Sequence, residues 1–119
     1  MNDDLAAVLR EIGQYAANWR AGARERPHAP ARSFPETLER FAAPTPQRGA
    51  PIADIVKDLI ALAEPGLANM VGPRFFGWVI GATEPAGLAA DWLASVWAQN
   101  TGNCEATPSA AAVEEITRR

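Results

Sequence analysis

Apolar side chains recur every three or four positions over Leu5, Val8, Leu9, Ile12, Tyr15, Ala16 and Trp19, a spacing that gathers them on one face of an α-helix. Asn2 stands at the capping position, Asp3 and Asp4 place negative charge in the first turn, and Gly22 lies just beyond the last periodic residue. Ile52, Ile55, Val56, Leu59, Ile60 and Ala63 repeat the pattern in a second helix that Pro65-Gly66 should stop. Leu88, Ala89, Trp92, Leu93, Val96 and Trp97 give a third helix, over Leu88 to Asn100, an apolar arc about half its circumference wide. Asp91 and Ser95 fall on its other side and Gly102 lies past its end.

Shorter signals fill the gaps. Ser33 caps a short helix over Pro35 to Phe41, its proline in the first turn where a missing donor costs nothing. Thr107-Pro108 is a cap and first-turn pair for a last helix. Two proline-rich stretches, Ala23 to Arg32 and Ala43 to Pro51, read as connectors because proline removes donors and biases its neighbours away from helix. Phe75 to Ile80 is an apolar run short enough for a buried strand or an extended segment, and periodicity does not choose between them. Gly77 and Gly81 within and after it permit close backbone approach or positive φ. No internal repeat or low-complexity segment stands out, and the fold class expected is mainly α.

The 119 residues are 48% hydrophobic and 21% charged, a globular balance that fits one domain or part of a larger one. Four tryptophans and three amphipathic helices are a large apolar surface for a chain with such irregular links, so part of it is expected to need a partner surface. A formal charge of −3 gives no reason to expect nucleic acid or an anionic membrane as partner. Neither a signal-peptide pattern nor a run of about 18 apolar residues occurs, and the location expected is cytoplasmic. The basic run Arg20, Arg24, Arg26 and Arg32 reads as helix-end charges followed by a solvated linker. A phosphate or acidic-partner patch is the other reading.

Few side chains offer chemistry. Lys57 is the sole lysine and lies opposite the apolar face of its helix, beside Asp54 and Asp58. A catalytic amine needs desolvation or a neighbouring cation to lower its pKa, and flanking carboxylates do the reverse. Lys57 therefore reads as a solvated surface residue. Cys104 is alone, which rules out an intramolecular disulfide within this sequence and suits a reducing compartment. His28 is also alone, whereas a zinc site needs three or four converging ligands. A Cys104/His28 nucleophile pair stays open as two lone residues far apart in sequence.

One ordered series carries more. Pro73-Arg74-Phe75-Phe76-Gly77-Trp78-Val79-Ile80-Gly81 leads into Pro85-Ala86-Gly87-Leu88-Ala89-Ala90-Asp91-Trp92-Leu93, with Glu105-Ala106-Thr107-Pro108 further on. Together with the preceding helices and proline breaks, this resembles the amino-terminal part of group II pyridoxal-phosphate-dependent decarboxylases, which act on aromatic amino acids, glutamate and tyrosine. The resemblance implies the helical amino-terminal arm of a fold-type I enzyme without its large α/β cofactor domain. Residues 1–72 would be a dimerisation arm and 73–119 the start of the decarboxylase domain.

The resemblance also implies roles. In such enzymes the active site lies at a homodimer interface, where the substrate is an amino acid and the cofactor is pyridoxal 5'-phosphate. Trp78, Ile80 and Gly81 would line the substrate pocket from one segment, and Asn100 and Gly102 from another. Relatives carry a hydroxyl-bearing tract after Phe-Phe, and this chain has Trp78-Val79-Ile80-Gly81 instead, which favours an apolar or aromatic substrate over an acidic one. Trp78 and Ile80 also fit ordinary core residues. The family's cofactor-binding His, Asp and His-Lys groups would begin after Arg119, so this chain alone is expected to bind no cofactor and to decarboxylate nothing. The alternative is a stand-alone helical interaction module that binds through the Leu88 to Trp97 face.

Overall fold

The computed structural model describes residues 3–119, in two compact units, Met1–Ala82 and Thr83–Arg119. Its helices are α1 (Asp3–Ala21), α2 (Phe34–Phe41), α3 (Ile52–Ala63), α4 (Pro85–Trp97) and α5 (Pro108–Thr117), with 3-10 turns at Gly22–Arg24 and Glu64–Gly66. No strand occurs among the described residues, in keeping with the mainly α expectation. The expected Asn2 cap and the Asp3 side chain lie outside the residues described.

In the first unit α1 and α2 both pack on α3. Val8 is buried in α1, with Ile12, Tyr15, Ala16 and Trp19 half-buried along the same face. Val56, Ile60 and Ala63 of α3 are half-buried, but Ile52, Ile55 and Leu59 of the same predicted stripe stay exposed. The apolar stripe of α3 is therefore wider than the surface its neighbours cover. Ser33 starts α2 as expected: the Glu36 carboxylate accepts from its amide at 2.8 Å and its hydroxyl at 2.7 Å. At the far end Arg40 Nη2 donates to the carbonyl of Ala61 at 2.8 Å, satisfying a group in the last turn of α3.

The connector after α1 is strapped down by its backbone. Arg32 N donates to Pro65 O at 2.9 Å and Asn69 N to His28 O at 3.0 Å, which sets residues 28–32 antiparallel to 65–69. Pro30, midway between these bonds, has no N–H, so the pairing does not extend into a ladder. Asn69 is the hub of this strap. Its buried amide Nδ2 donates to Ala23 O at 2.7 Å and Arg26 O at 3.1 Å, while its Oδ1 is buried without a partner. A Cβ on Gly72 would stand 2.6 Å from that same Nδ2, so the turn closes over Asn69 only with glycine there.

In the second unit Glu84 caps α4, its carboxylate accepting from Ala86 N at 2.7 Å and Gly87 N at 3.2 Å. The helix ends at Trp97, where Ala98 turns left-handed at φ 48°, rather than continuing to Asn100. The next loop is organised by Asn103, whose Oδ1 accepts from Glu105 N at 3.1 Å and Ala106 N at 2.8 Å. Thr107 occupies the cap position of α5 as predicted, yet its hydroxyl donates backwards to Asn103 O at 3.1 Å instead of capping.

Candidate functional site

The expected strand or extended segment at Phe75 to Ile80 is a turn. Trp78 and Val79 both adopt left-handed backbone, with φ 56° and 52°, while neither Gly77 nor Gly81 has positive φ. Two successive positive-φ residues reverse the chain, which no strand can do. The glycine that matters is Gly77, and its role is close approach: a Cβ there would lie 3.2 Å from Phe75 Cζ. The Phe75 ring meets the Trp78 indole edge-on at 6.5 Å between centroids. The base of the turn is tied by Phe75 N to Gly72 O at 3.1 Å and by Arg74 Nη2 to Arg24 O at 2.9 Å.

The turn forms one wall of a cleft of about 480 Å³, lined by His28, Pro30, Ala68, Arg74, Phe75, Phe76 and Trp78. It joins aromatic faces that can stack on a planar group with the Arg74 guanidinium, which suits an anion, and the His28 imidazole. Trp78 is 79% exposed and Ile80 47% exposed, so packing inside a core does not explain either residue. A Cβ on Gly81 would meet nothing within 4 Å. Trp78, Ile80 and Gly81 thus share one apolar turn of the first unit. Asn100 and Gly102 share the exposed loop after α4 in the second, a Cβ on Gly102 falling 3.3 Å from Asn100 Oδ1.

Lys57 is exposed on α3 and lines neither the cleft beside Trp78 nor the one beside Trp19. Pyridoxal phosphate requires a lysine amine, a phosphate cradle and a carboxylate at the ring nitrogen. Of these groups, the sequence's single lysine, Lys57, lines neither cleft. His28 is exposed at the cleft edge, Cys104 is exposed in the second unit, and no cluster of three metal-binding side chains occurs among the described residues. None of the helices among these residues is long and apolar enough to cross a membrane.

Within the arginine run, Arg26 and Arg32 make local contacts. Arg20 lies in the last turn of α1, Arg26 stacks on the Trp19 ring at 3.7 Å, and Arg32 sits 3.9 Å from Glu36. Beside them Trp19, Arg26, Pro27, Pro30, Glu64 and Leu67 line a second cleft of about 600 Å³. Glu64 also accepts from the Tyr15 hydroxyl, at Oε2 and 3.3 Å. Burial, followed by the charge of Glu64 and this bond, raises the Tyr15 pKa. Sequence reasoning missed Asn69; the signal available was an Asn three residues before Gly72, an ordinary turn pair.

No protein-family model, curated protein or solved structure matches this chain.

Proposed function

We propose that this chain is the helical arm of a pyridoxal-phosphate-dependent amino-acid decarboxylase. In this reading its apolar helix faces lie against the cofactor domain and the neighbouring subunit of a homodimer. The observation that carries the reading is the pairing of the Pro73-Arg74-Phe75-Phe76 series with a helix whose apolar face is left uncovered. Trp92, Leu93, Val96 and Trp97 of α4 are all exposed, Val96 at 65% and Trp97 at 60%. Water-exposed apolar area costs about 25 cal/mol per Å² relative to burial, and contiguous patches of that kind mark contact surfaces.

The turn at Trp78-Val79 fits the same role. Left-handed backbone costs a non-glycine residue roughly 1–2 kcal/mol, and Val79 gains no burial in return. A surface that docks there would supply that burial, and Trp78 and Ile80 would then face an amino-acid substrate with an apolar or aromatic side chain. The cofactor's electron-withdrawing chemistry would come from groups outside residues 1–119. This arm would supply apolar walls and exclude water.

The coding sequence that follows the Arg119 codon tests the proposal. A reading frame that continues into an α/β region with a His-Lys pair supports it. A frame that continues or stops without any such region overturns it.

A further inference from the structure

α4 and α5 belong to one compact unit, yet among the described residues the two helices do not pack directly on each other. Between them runs a trough of about 600 Å³. Ala94 and Ala110 leave room in it, Trp97 and Val113 are its large apolar side chains, and Glu114 lines it as well. Trp97 and Val113 are both exposed, so the trough is apolar, open and unfilled by this unit's own side chains.

Its charge says what would fill it. Thr83–Arg119 contains Glu84, Asp91, Glu105, Glu114 and Glu115 against only Arg118 and Arg119, so the whole of the chain's formal charge of −3 lies in this unit. Both arginines are taken up by Glu115, at 2.8 Å and 3.5 Å. Glu114 makes no ion pair among the described residues, and Asp91 sits one turn before Ala94 on α4. Glu114 thus places a carboxylate on the gap itself, and Asp91 lies one turn from Ala94, which lines it.

We infer that the α4/α5 trough receives an amphipathic helix of a partner protein, one that inserts leucine-type side chains between Trp97 and Val113 and sets lysine or arginine against Glu114 and Asp91. A helix laid in an apolar groove is a recurrent recognition mode, and the acidic flanks select a basic helix over an acidic one. The inference rests on the trough and its charge, and of the α4 face that the decarboxylase reading covers it shares only Trp97.

The test titrates the full 119-residue chain into two labelled helical peptides about four turns long, one built from Leu and Lys and the other from Leu and Glu in the same pattern. The Leu/Lys peptide should bind saturably and the Leu/Glu peptide at least about tenfold more weakly. Glu114→Gln and Asp91→Asn should each weaken Leu/Lys binding about two- to fivefold, the range of exposed charge pairs. Trp97→Ala should weaken it about tenfold or more, with circular dichroism confirming that the variant keeps its helices. Glu114→Gln changes only an exposed side chain and keeps the test decisive if Trp97→Ala unfolds. Equal binding of both peptides, undiminished binding to Glu114→Gln and Asp91→Asn, or no saturable binding would overturn the inference.

Discussion

The Arg26 guanidinium lies 3.7 Å from the centre of the Trp19 ring and donates through Nη1 to the Trp19 carbonyl at 3.0 Å. One side chain thereby closes the C-terminal end of α1 and covers the ring that ends its apolar face. Arg26→Ala should cost about 1–2 kcal/mol, from a lost cation–π contact and a lost hydrogen bond. Arg26→Lys keeps the charge but not the planar stacking, and should fall between wild type and Arg26→Ala. Thermal unfolding of the three proteins reads the order directly.

Asn69 and Gly72 are predicted to be the least replaceable pair in the first unit. Asn69→Ala leaves the carbonyls of Ala23 and Arg26 without their buried donor and should cost about 1–3 kcal/mol. Asn69→Asp should be worse at neutral pH, because a carboxylate would face two carbonyl oxygens, and should recover partly in acid as it protonates. Gly72→Ala drives a Cβ to 2.6 Å from Asn69 Nδ2, whereas Gly81→Ala meets nothing within 4 Å. Urea unfolding should show the first destabilised and the second close to wild type.

Two groups give stability a pH dependence of opposite sign. Hydrogen bonds from the Ser33 side chain and backbone, with Arg32 nearby, hold the Glu36 pKa below its ordinary 4.5. Its contribution is complete above 4.5 and is lost as pH falls through the lowered folded value. The Tyr15 pKa is raised above 10.0, so its contribution is complete below 10.0 and is lost as pH rises through the raised value. Glu36→Gln should flatten the acid limb of a stability–pH curve and Tyr15→Phe the alkaline limb, both modestly because Glu36 is exposed and Tyr15 only half-buried.

The helices were legible because their signals are local. The periodicity of α1, the Ser33 and Thr107 positions and the stop at Pro65-Gly66 are written within a few residues of where they act. The Trp78-Val79 turn was not, since its positive φ falls on the two residue types least suited to it while the adjacent glycines take ordinary backbone. Asn69 was hidden for a different reason: its partners Ala23 and Arg26 are more than 40 positions away. The end of α4 was misplaced because Ala98 adopts the left-handed cap that Gly102 suggested further on. Of the candidate site, the resemblance supplied the residues, and the structure supplied the cleft of His28, Arg74 and Phe76 beside Trp78.

Lys57 is predicted to be chemically ordinary. It stands exposed on α3, so pyridoxal phosphate added to the 119-residue chain should produce no saturable, stoichiometric change in its absorbance spectrum. A stoichiometric change abolished by Lys57→Ala would place an amine site on this chain.

The central claim is that the apolar faces of these helices are built to be covered. Among the described residues only Val8 and Ala23 are buried apolar side chains, and none of any kind is fully buried. Sedimentation of the isolated chain across a range of concentrations, paired with its thermal unfolding, tests this most directly. The expected result is concentration-dependent self-association with a broad, weakly cooperative transition. A monomer at every concentration that unfolds cooperatively well above about 45–65 °C, the range of ordinary mesophilic domains, would contradict it.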